Sequence, residues 1–143
     1  MNIAWGSEES HQFVTNVGLI TTKGVLGYNI MSCEWMHQVS YEPGMIAICV
    51  DKENFTNEII KKTKEFGVSL ASTEQTKLCS LAGGSSGRDV DKIALLESLG
   101  FKFYNGKKIK SLMVADAALN VECKLVKKIE LPSHTMFIGE AVD

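Results

Sequence analysis

Residues 119–126, with the sequence LNVECKLV, carry the clearest structural signal in this chain. Leu119, Val121, Cys123 and Leu125 alternate with polar residues, so the two sets point to opposite faces of an extended segment. An alternation with a period of two predicts a β-strand with one buried face. How the other segments combine with this strand decides the fold.

Further strands are predicted on both sides of this stretch, because β-branched and apolar residues dominate short runs bounded by turn residues. An unbroken apolar run such as MIAICV at 45–50 fits a strand covered on both faces. The predicted strands cover residues 13–22, 26–32, 45–50, 66–71, 101–104, 112–126 and 134–142.

Three short helices are predicted between the strands, each preceded by a residue that favours the N-cap position. The caps are Asn54, Thr73 and Asp89, and the third helix runs from Val90 to Leu99. Strands outnumber helices and do not alternate regularly with them, which argues against a doubly wound parallel sheet. The order favours a mainly β fold, an antiparallel β-barrel with peripheral helices.

Composition is that of an ordinary globular chain: 143 residues, 45% hydrophobic and 22% charged, with a net charge of -2. The length predicts a single domain over residues 1–143. Binding along a nucleic-acid duplex needs a basic patch, which this balance does not favour. No run approaches the ~20 apolar residues of a membrane span, and the N-terminus lacks the pattern of a signal peptide. The expected compartment is therefore the cytoplasm.

The four cysteines, at positions 33, 49, 79 and 123, show no C-x-x-C spacing, and the three histidines are isolated from them. A zinc site or a redox dithiol is therefore not expected, and all four thiols are expected to be reduced. The sequence contains no P-loop and no G-x-G-x-x-G fingerprint. It also lacks the G-x-S-x-G and H-E-x-x-H motifs of hydrolases.

The most unusual stretch is LAGGSSGRDVDK at residues 81–92. Glycines allow close backbone approach to a ligand, serines offer hydroxyl donors, and Arg88 and Lys92 add positive charge. The stretch also leads into a predicted helix N-terminus, which favours anions. These features fit a phosphate-binding loop, and they fit equally well a surface loop that ends in a helix cap.

Two further segments mix polar and apolar residues at strand ends. In residues 28–35, YNIMSCEW, backbone amides could bind the edge of a flat heteroaromatic ligand while Met31 or Trp35 covers its face. The alternative is a strand-to-loop corner with the tryptophan packed in the core. In residues 51–57, Thr56 could bind a phosphate or simply support the helix cap.

In order and spacing, these motifs resemble the flavin-reductase-like proteins with an FMN-binding split barrel, including flavoredoxins and archaeal ferric reductases. The resemblance covers nearly the whole chain. The matching segments are residues 16–22, 28–35, 39–43, 54–60, 65–70, 85–92, 119–126 and 134–142. The resemblance implies a Greek-key antiparallel split barrel that binds FMN.

The resemblance also implies roles for individual residues. Those expected to line the isoalloxazine, partly through backbone groups, are Asn29, Met31, Ser32 and Cys33. Those expected near the ribityl-phosphate end are Asp51 and Thr56. Those expected to hold the phosphate are Ser85, Ser86, Arg88 and Lys92. His134 matches a family histidine on the flavin or nicotinamide side.

The implied activity is NAD(P)H-dependent reduction of flavin, ferric iron or another small acceptor, with hydride transfer to FMN N5. Two alternatives remain open: a flavoredoxin-type electron carrier that serves partner proteins, and a non-catalytic flavin- or haem-binding module on the same barrel. Members of the family are usually homodimers. They also usually continue with a C-terminal segment beyond the last strand, whereas this sequence ends at Asp143. The resemblance leaves two alternatives: the segment is missing from this sequence, or the chain is a shortened member of the family.

Overall fold

One large antiparallel sheet dominates the computed structural model, which describes residues 7–12 and 16–143. Its seven strands, in spatial order, are β2, β1, β5, β8, β9, β4 and β3, and β6 pairs with β7 in a separate hairpin. The strands of the described residues are β1 (Gly18–Gly24), β2 (Gly27–Cys33), β3 (Met36–Tyr41), β4 (Gly44–Asp51), β5 (Glu65–Leu70), β6 (Phe103–Asn105), β7 (Leu112–Val114), β8 (Leu119–Glu130) and β9 (His134–Ala141). The predicted mainly β, antiparallel fold is confirmed.

Three α-helices lie among the described residues: α1 (Phe55–Thr63), α2 (Thr76–Gly83) and α3 (Lys92–Ser98). Short 3-10 turns cover Glu8–Gln12 and Thr73–Gln75. None of the described helices has the length and apolar character needed to cross a membrane.

The sheet buries both of its faces because successive residues of a strand point in opposite directions. Ile20 of β1 packs inside the barrel with Phe66 and Phe137, whereas its neighbour Leu19 packs outside the barrel against Leu78 of α2. This double burial fixes the helices and their connecting loops against β1 and β2.

Strand β2 is an end strand of the sheet: it pairs with β1 on one edge and with no other described strand. Its other edge therefore presents backbone groups that the sheet does not use. This edge is where the candidate site is found.

The predicted strand at 112–126 is wrong as a single element. The chain turns after β7, where Asp116 has a φ of 60°, and β8 begins at Leu119 and continues to Glu130. Within β8 the predicted faces are also partly wrong. Leu119 is 52% exposed, and Glu122 is buried because its carboxylate accepts backbone N–H groups from residues 107–109.

The helix starts differ from the prediction at two of three positions. Asn54 caps α1 as expected, its Oδ1 accepting from the Thr56 N–H at 2.9 Å. Helix α3 is capped by Asp91, whose Oδ1 accepts from Ala94 N–H at 3.0 Å, and not by Asp89. Ahead of α2, Thr73 opens a 3-10 turn, and the α-helix begins only at Thr76.

Strand β3 had no counterpart in the sequence prediction, because its sequence MHQVSY lies at the sheet's end and is mostly exposed, without a clean alternation. The first predicted strand is confirmed from Gly18 onward. Its predicted start at residues 13–15 lies outside the described residues.

Candidate functional site

A cleft of about 630 Å³ opens between the edge of β2, the end of β4, the start of α1 and the loop before α3. It collects six of the residues for which the family resemblance implies contact with a cofactor. These are Asn29, Asp51, Ser85, Ser86, Arg88 and Lys92. Residues 63 positions apart in the chain thus line a single cavity, which we call the cofactor cleft.

Asn29 forms a buried wall of the cofactor cleft. Its Nδ2 donates to Thr56 Oγ1 at 2.9 Å and to Thr22 Oγ1 at 3.4 Å, so its orientation is fixed. Thr56 is 1% exposed and does not line the cleft. Thr56 instead fixes the side chain of Asn29 by accepting its Nδ2–H group.

Gly87 brings the loop into direct contact with this wall. A Cβ atom at Gly87 would lie 2.1 Å from Asn29 Oδ1 and 3.1 Å from Cδ1 of Phe55. Only glycine therefore allows the loop to close against β2 and α1 in this way.

Lys92, the first residue of α3, is buried beneath the loop. Its Nζ donates to the backbone carbonyls of Ala82 at 2.8 Å and Ser85 at 3.0 Å. Burial lowers the pKa of Lys92 to about 8, because desolvation penalises the charged form. An ammonium group has three protons, so two such bonds leave one for a ligand in the cleft.

Arg88 joins the loop to α1. Its Nη1 donates to the Glu53 carbonyl at 3.0 Å, its Nη2 pairs with Glu58 Oε2 at 3.2 Å, and its guanidinium lies 5.2 Å from the centroid of the Phe55 ring. Hydrogen bonds from Lys62 and Arg88 lower the pKa of Glu58. A guanidinium has five N–H groups, so these two contacts leave others for an anion.

The loop offers further donors to an anion. Ser86 Oγ and its carbonyl accept from the backbone N–H groups of Arg88 and Asp89, which curls the loop. Among the described residues, the backbone N–H groups of Ser86 and Gly87 have no acceptor, and the Ser85 hydroxyl has no partner. Such a turn of free N–H groups suits a phosphate.

Carboxylates also face the cofactor cleft. Asp51, Glu53 and Asp89 line it, so an anion must bind at the loop side beside Lys92. Asp51 is partly compensated, since its Oδ1 accepts from the Glu53 backbone N–H at 2.8 Å. The donor set fits a phosphate ester of a molecule whose remainder carries hydroxyls or ring N–H groups.

Three predicted residues of β2 do not bring their side chains into the cofactor cleft. Met31 packs against the barrel core, and Ser32 Oγ donates to the Cys79 carbonyl of α2. Cys33 is buried, and desolvation raises the pKa of its thiol to about 12. Any role of these residues toward a ring is limited to their backbone groups.

Trp35 and His134 form an aromatic pair close to the end of β4. Their ring centroids are 4.5 Å apart at 33°, and His134 lies opposite Asp51 in the β4–β9 ladder. Trp35 is 54% exposed, so the alternative of a core tryptophan is wrong. His134 shares a 2.8 Å hydrogen bond with Ser133 Oγ and does not line the cleft.

The sequence patterns do not single out Phe55, Glu53 or Gly87, although they lie within the candidate segments 51–57 and 81–92. Residue types alone do not mark Phe55 as a cleft residue or distinguish Gly87 from the other glycines of its loop. Their proximity to Asn29 and Arg88 depends on how α1 packs on β2, which residue types alone do not determine.

The chain matches the model of the flavin reductase like domain over residues 10–143. It is 30% identical over 121 residues to an uncharacterized protein of Archaeoglobus fulgidus, covering 85% of this chain and 67% of that protein. It is 32% identical over 107 residues to a ferric-chelate reductase (NAD(P)H) of the same organism, covering 74% of this chain and 60% of that protein. The chain thus spans about 60–67% of the length of these curated relatives.

Solved structures with the same fold cover the whole chain. The flavoredoxin of Methanosarcina acetivorans superposes with a TM-score of 0.86 at 26% identity, covering 100% of this chain and 73% of that one. The flavoredoxin of Desulfovibrio vulgaris superposes with a TM-score of 0.83 at 29% identity, covering 100% and 75%.

Proposed function

This chain belongs to the flavin reductase like domain family, and from that premise we propose that it is an oxidoreductase that binds FMN in the cofactor cleft. The observation that carries the proposal is the cleft itself. It unites Asn29, Asp51 and the loop residues around Arg88 with the buried ammonium of Lys92. Relatives with reductase and flavoredoxin names support a redox role.

The loop side of the cleft would hold the phosphate. Within the described part of the chain, Lys92 keeps one N–H group and Arg88 keeps several without an acceptor, and the backbone of Ser86 and Gly87 supplies two more donors. The Lys92 ammonium balances the phosphate charge from below the loop. Glycine at position 87 keeps the loop closed against Asn29, which sets the size of the site.

The edge of β2 would hold the ring system. Because Met31 and Cys33 point into the barrel, their backbone groups are what β2 offers at its free edge. When bound, FMN supplies the hydride and electron transfer, and the protein binds and orients it. Trp35 is exposed and its ring packs against that of the half-buried His134, which lies across the ladder from Asp51. The Trp35 ring would thus offer an aromatic face beside the site to a flavin ring or a nicotinamide.

The proposed reaction is reduction of flavin, ferric iron or another small acceptor at the expense of NAD(P)H. The 32% identity to a ferric-chelate reductase (NAD(P)H) supports it. The second candidate is an electron carrier for partner proteins. It is supported by two flavoredoxins that align with the whole chain.

Anaerobic spectroscopy tests both candidates. The FMN-loaded protein is mixed with NADH or NADPH, and loss of visible flavin absorbance is followed in time. Rapid bleaching by a nicotinamide supports the reductase. Slow bleaching by both, with rapid bleaching by a reduced ferredoxin, supports the carrier.

Site variants show whether the cofactor cleft is the site. We expect Lys92→Ala and Arg88→Ala each to weaken FMN binding by roughly 1–3 kcal/mol, because each removes charge-assisted hydrogen bonds. Lys77→Ala, on the exposed side of α2, is the matched control and should bind as wild type does. Wild-type affinity in both cleft variants would refute the placement of the phosphate.

Assembly and compartment belong to the same proposal. An apolar groove of about 430 Å³ at the barrel mouth, lined by Met36, Ile46 and Val121 among others, is a surface that a second copy could cover. Sedimentation equilibrium tests the homodimer: a monomer at micromolar concentration would refute it.

All four cysteines are free, which suits a reducing compartment such as the cytoplasm.

A further inference from the structure

A second groove, of about 360 Å³, lies between the tip of the β1–β2 hairpin, α1 and the segment at Lys110. Its apolar surface comes from Gly24, Val25, Phe55 and Ile59. Val25 is 96% exposed, so the fold holds an apolar side chain in water at the edge of a concave surface. We call this concavity the lysine groove.

Three lysines surround the apolar surface of the lysine groove: Lys23, Lys62 and Lys110. Lys62 pairs with Glu58 at 2.7 Å. Among the described residues, the ammonium of Lys23 interacts with the neutral Tyr28 alone, with its Nζ 4.7 Å from the ring centroid and 3.5 Å from the hydroxyl. The Lys110 ammonium has no carboxylate partner among the described residues.

The two carboxylates of the lysine groove are already compensated. Glu58 is shared between Lys62 and Arg88. Glu65 accepts the Lys110 backbone N–H through Oε1 at 2.7 Å and pairs with Lys124 through Oε2. Neither acid is therefore free to neutralise the remaining two lysines, and the groove has excess positive charge.

The position of Lys110 is fixed by the fold. Its backbone N–H is held by Glu65, and the preceding N–H groups of Lys107, Lys108 and Ile109 are held by the buried Glu122 at 2.6–2.9 Å. Four consecutive N–H groups bound to carboxylates make this a rigid segment. The lysine groove is consequently preformed on that side.

From this arrangement we infer that the lysine groove binds a small aromatic carboxylate. The apolar floor of the groove would contact a ring or a branched hydrocarbon of the ligand. Lys23 and Lys110, at the edge of that floor, would pair with one anionic group. The volume is near the lower end of the ~300–1,000 Å³ of small-molecule sites, which suits one or two rings. Phe55 lines both this groove and the cofactor cleft, so the two sites are adjacent.

Binding is measured by titrating the ¹⁵N-labelled chain with 2-naphthoate and recording amide shifts, with and without FMN. We expect saturable shifts at Gly24, Val25 and Lys110 in both states, because the groove does not overlap the loop around Lys92. The neutral isostere 2-naphthalenemethanol should bind about fivefold or more weakly, since it loses the ion pairing. If 2-naphthoate causes these amide shifts and FMN does not bind at all, the result supports the lysine groove and refutes the cofactor proposal.

Variants separate the lysine groove from general surface charge. Lys110→Gln should weaken naphthoate about fivefold, whereas Lys108→Gln, an exposed neighbour outside the groove, should leave the affinity unchanged. Equal affinity of the acid and the alcohol for the wild-type chain would overturn the inference. So would shifts confined to the barrel-mouth groove at Met36 and Val121, or no saturation at millimolar ligand.

Discussion

Raising the pH should weaken FMN binding through one group, the ammonium of Lys92. Burial holds its pKa at about 8 in the free chain, so about half of the molecules have lost this proton at pH 8. A phosphate beside Nζ favours the charged form and raises the pKa of Lys92 toward its ordinary value of 10.5. At pH 9, FMN binding therefore requires Lys92 to take up a proton, whereas at pH 7 Lys92 already carries it.

The size of the effect follows from the pKa of Lys92 in the free chain. With a pKa of about 8 in the free chain and a Lys92 that stays protonated beside the phosphate, the Kd rises about tenfold between pH 7 and pH 9, since each pH unit above that pKa costs about 1.4 kcal/mol. The FMN phosphate contributes little to this slope, because its second ionisation, with a pKa of ~6, is already about nine-tenths complete at pH 7.

The assay is fluorescence quenching of FMN at equilibrium, at fixed ionic strength and at several pH values from 7 to 9. Lys92→Met should bind more weakly at pH 7 and show no slope, whereas Lys77→Met should keep the wild-type slope. A flat wild-type profile would contradict a contact between Lys92 and the phosphate. A slope that survives in Lys92→Met would assign it to another group.

Three further changes probe neighbouring features. Glu58→Gln should tighten FMN binding about twofold at low salt, because it releases Arg88 from a competing carboxylate; unchanged or weaker binding in fluorescence titrations would contradict this. Glu122→Gln should lower the free energy of unfolding in urea by about 1.5–3 kcal/mol, because the glutamine amide cannot accept the three backbone N–H groups of residues 107–109. A loss under about 0.5 kcal/mol, as at ordinary surface sites, would argue against a rigid segment there. Burial raises the thiol pKa of Cys123 to about 12, so the folded chain keeps a proton that the unfolded chain loses above pH 9. In urea titrations above pH 9, the free energy of unfolding should therefore fall with rising pH less steeply in Cys123→Ala than in wild type. The difference in slope should be about 1.4 kcal/mol per pH unit, and identical slopes would contradict a buried, protonated thiol at position 123.

Periodicity and capping were enough to predict most of the fold. The alternation at 119–125 and the apolar run at 45–50 identified β8 and β4, and Asn54 marked the start of α1. Prediction failed where tertiary contacts override local pattern. Glu122 lies in a polar position of the alternation, yet it is buried because a distant loop needs an acceptor.

The residues of the candidate site could be predicted from the sequence better than their contacts and their positions relative to one another. The resemblance placed Lys92 and Arg88 near a phosphate, and the structure gathers both with Asn29 in one cleft. It could not indicate that Lys92 is buried under Ala82 and Ser85, or that Arg88 is tied to α1. Such contacts join segments far apart in sequence, so no local pattern reports them.

The proposed FMN site depends on the close approach of Gly87 to Asn29, which closes the cofactor cleft. The most direct test is an equilibrium FMN titration of wild type, Gly87→Val and the control Gly44→Ala. A Cβ at position 87 would lie 2.1 Å from Asn29 Oδ1, whereas one at position 44 would meet only ordinary contacts, 3.7 Å away at the nearest.

We expect stoichiometric quenching by wild type and Gly44→Ala, and binding about tenfold or more weaker in Gly87→Val, because valine forces the loop away from β2. No quenching by the wild-type chain at about 100 µM protein would contradict the claim. Equal affinity in Gly87→Val and Gly44→Ala would show that FMN binds elsewhere.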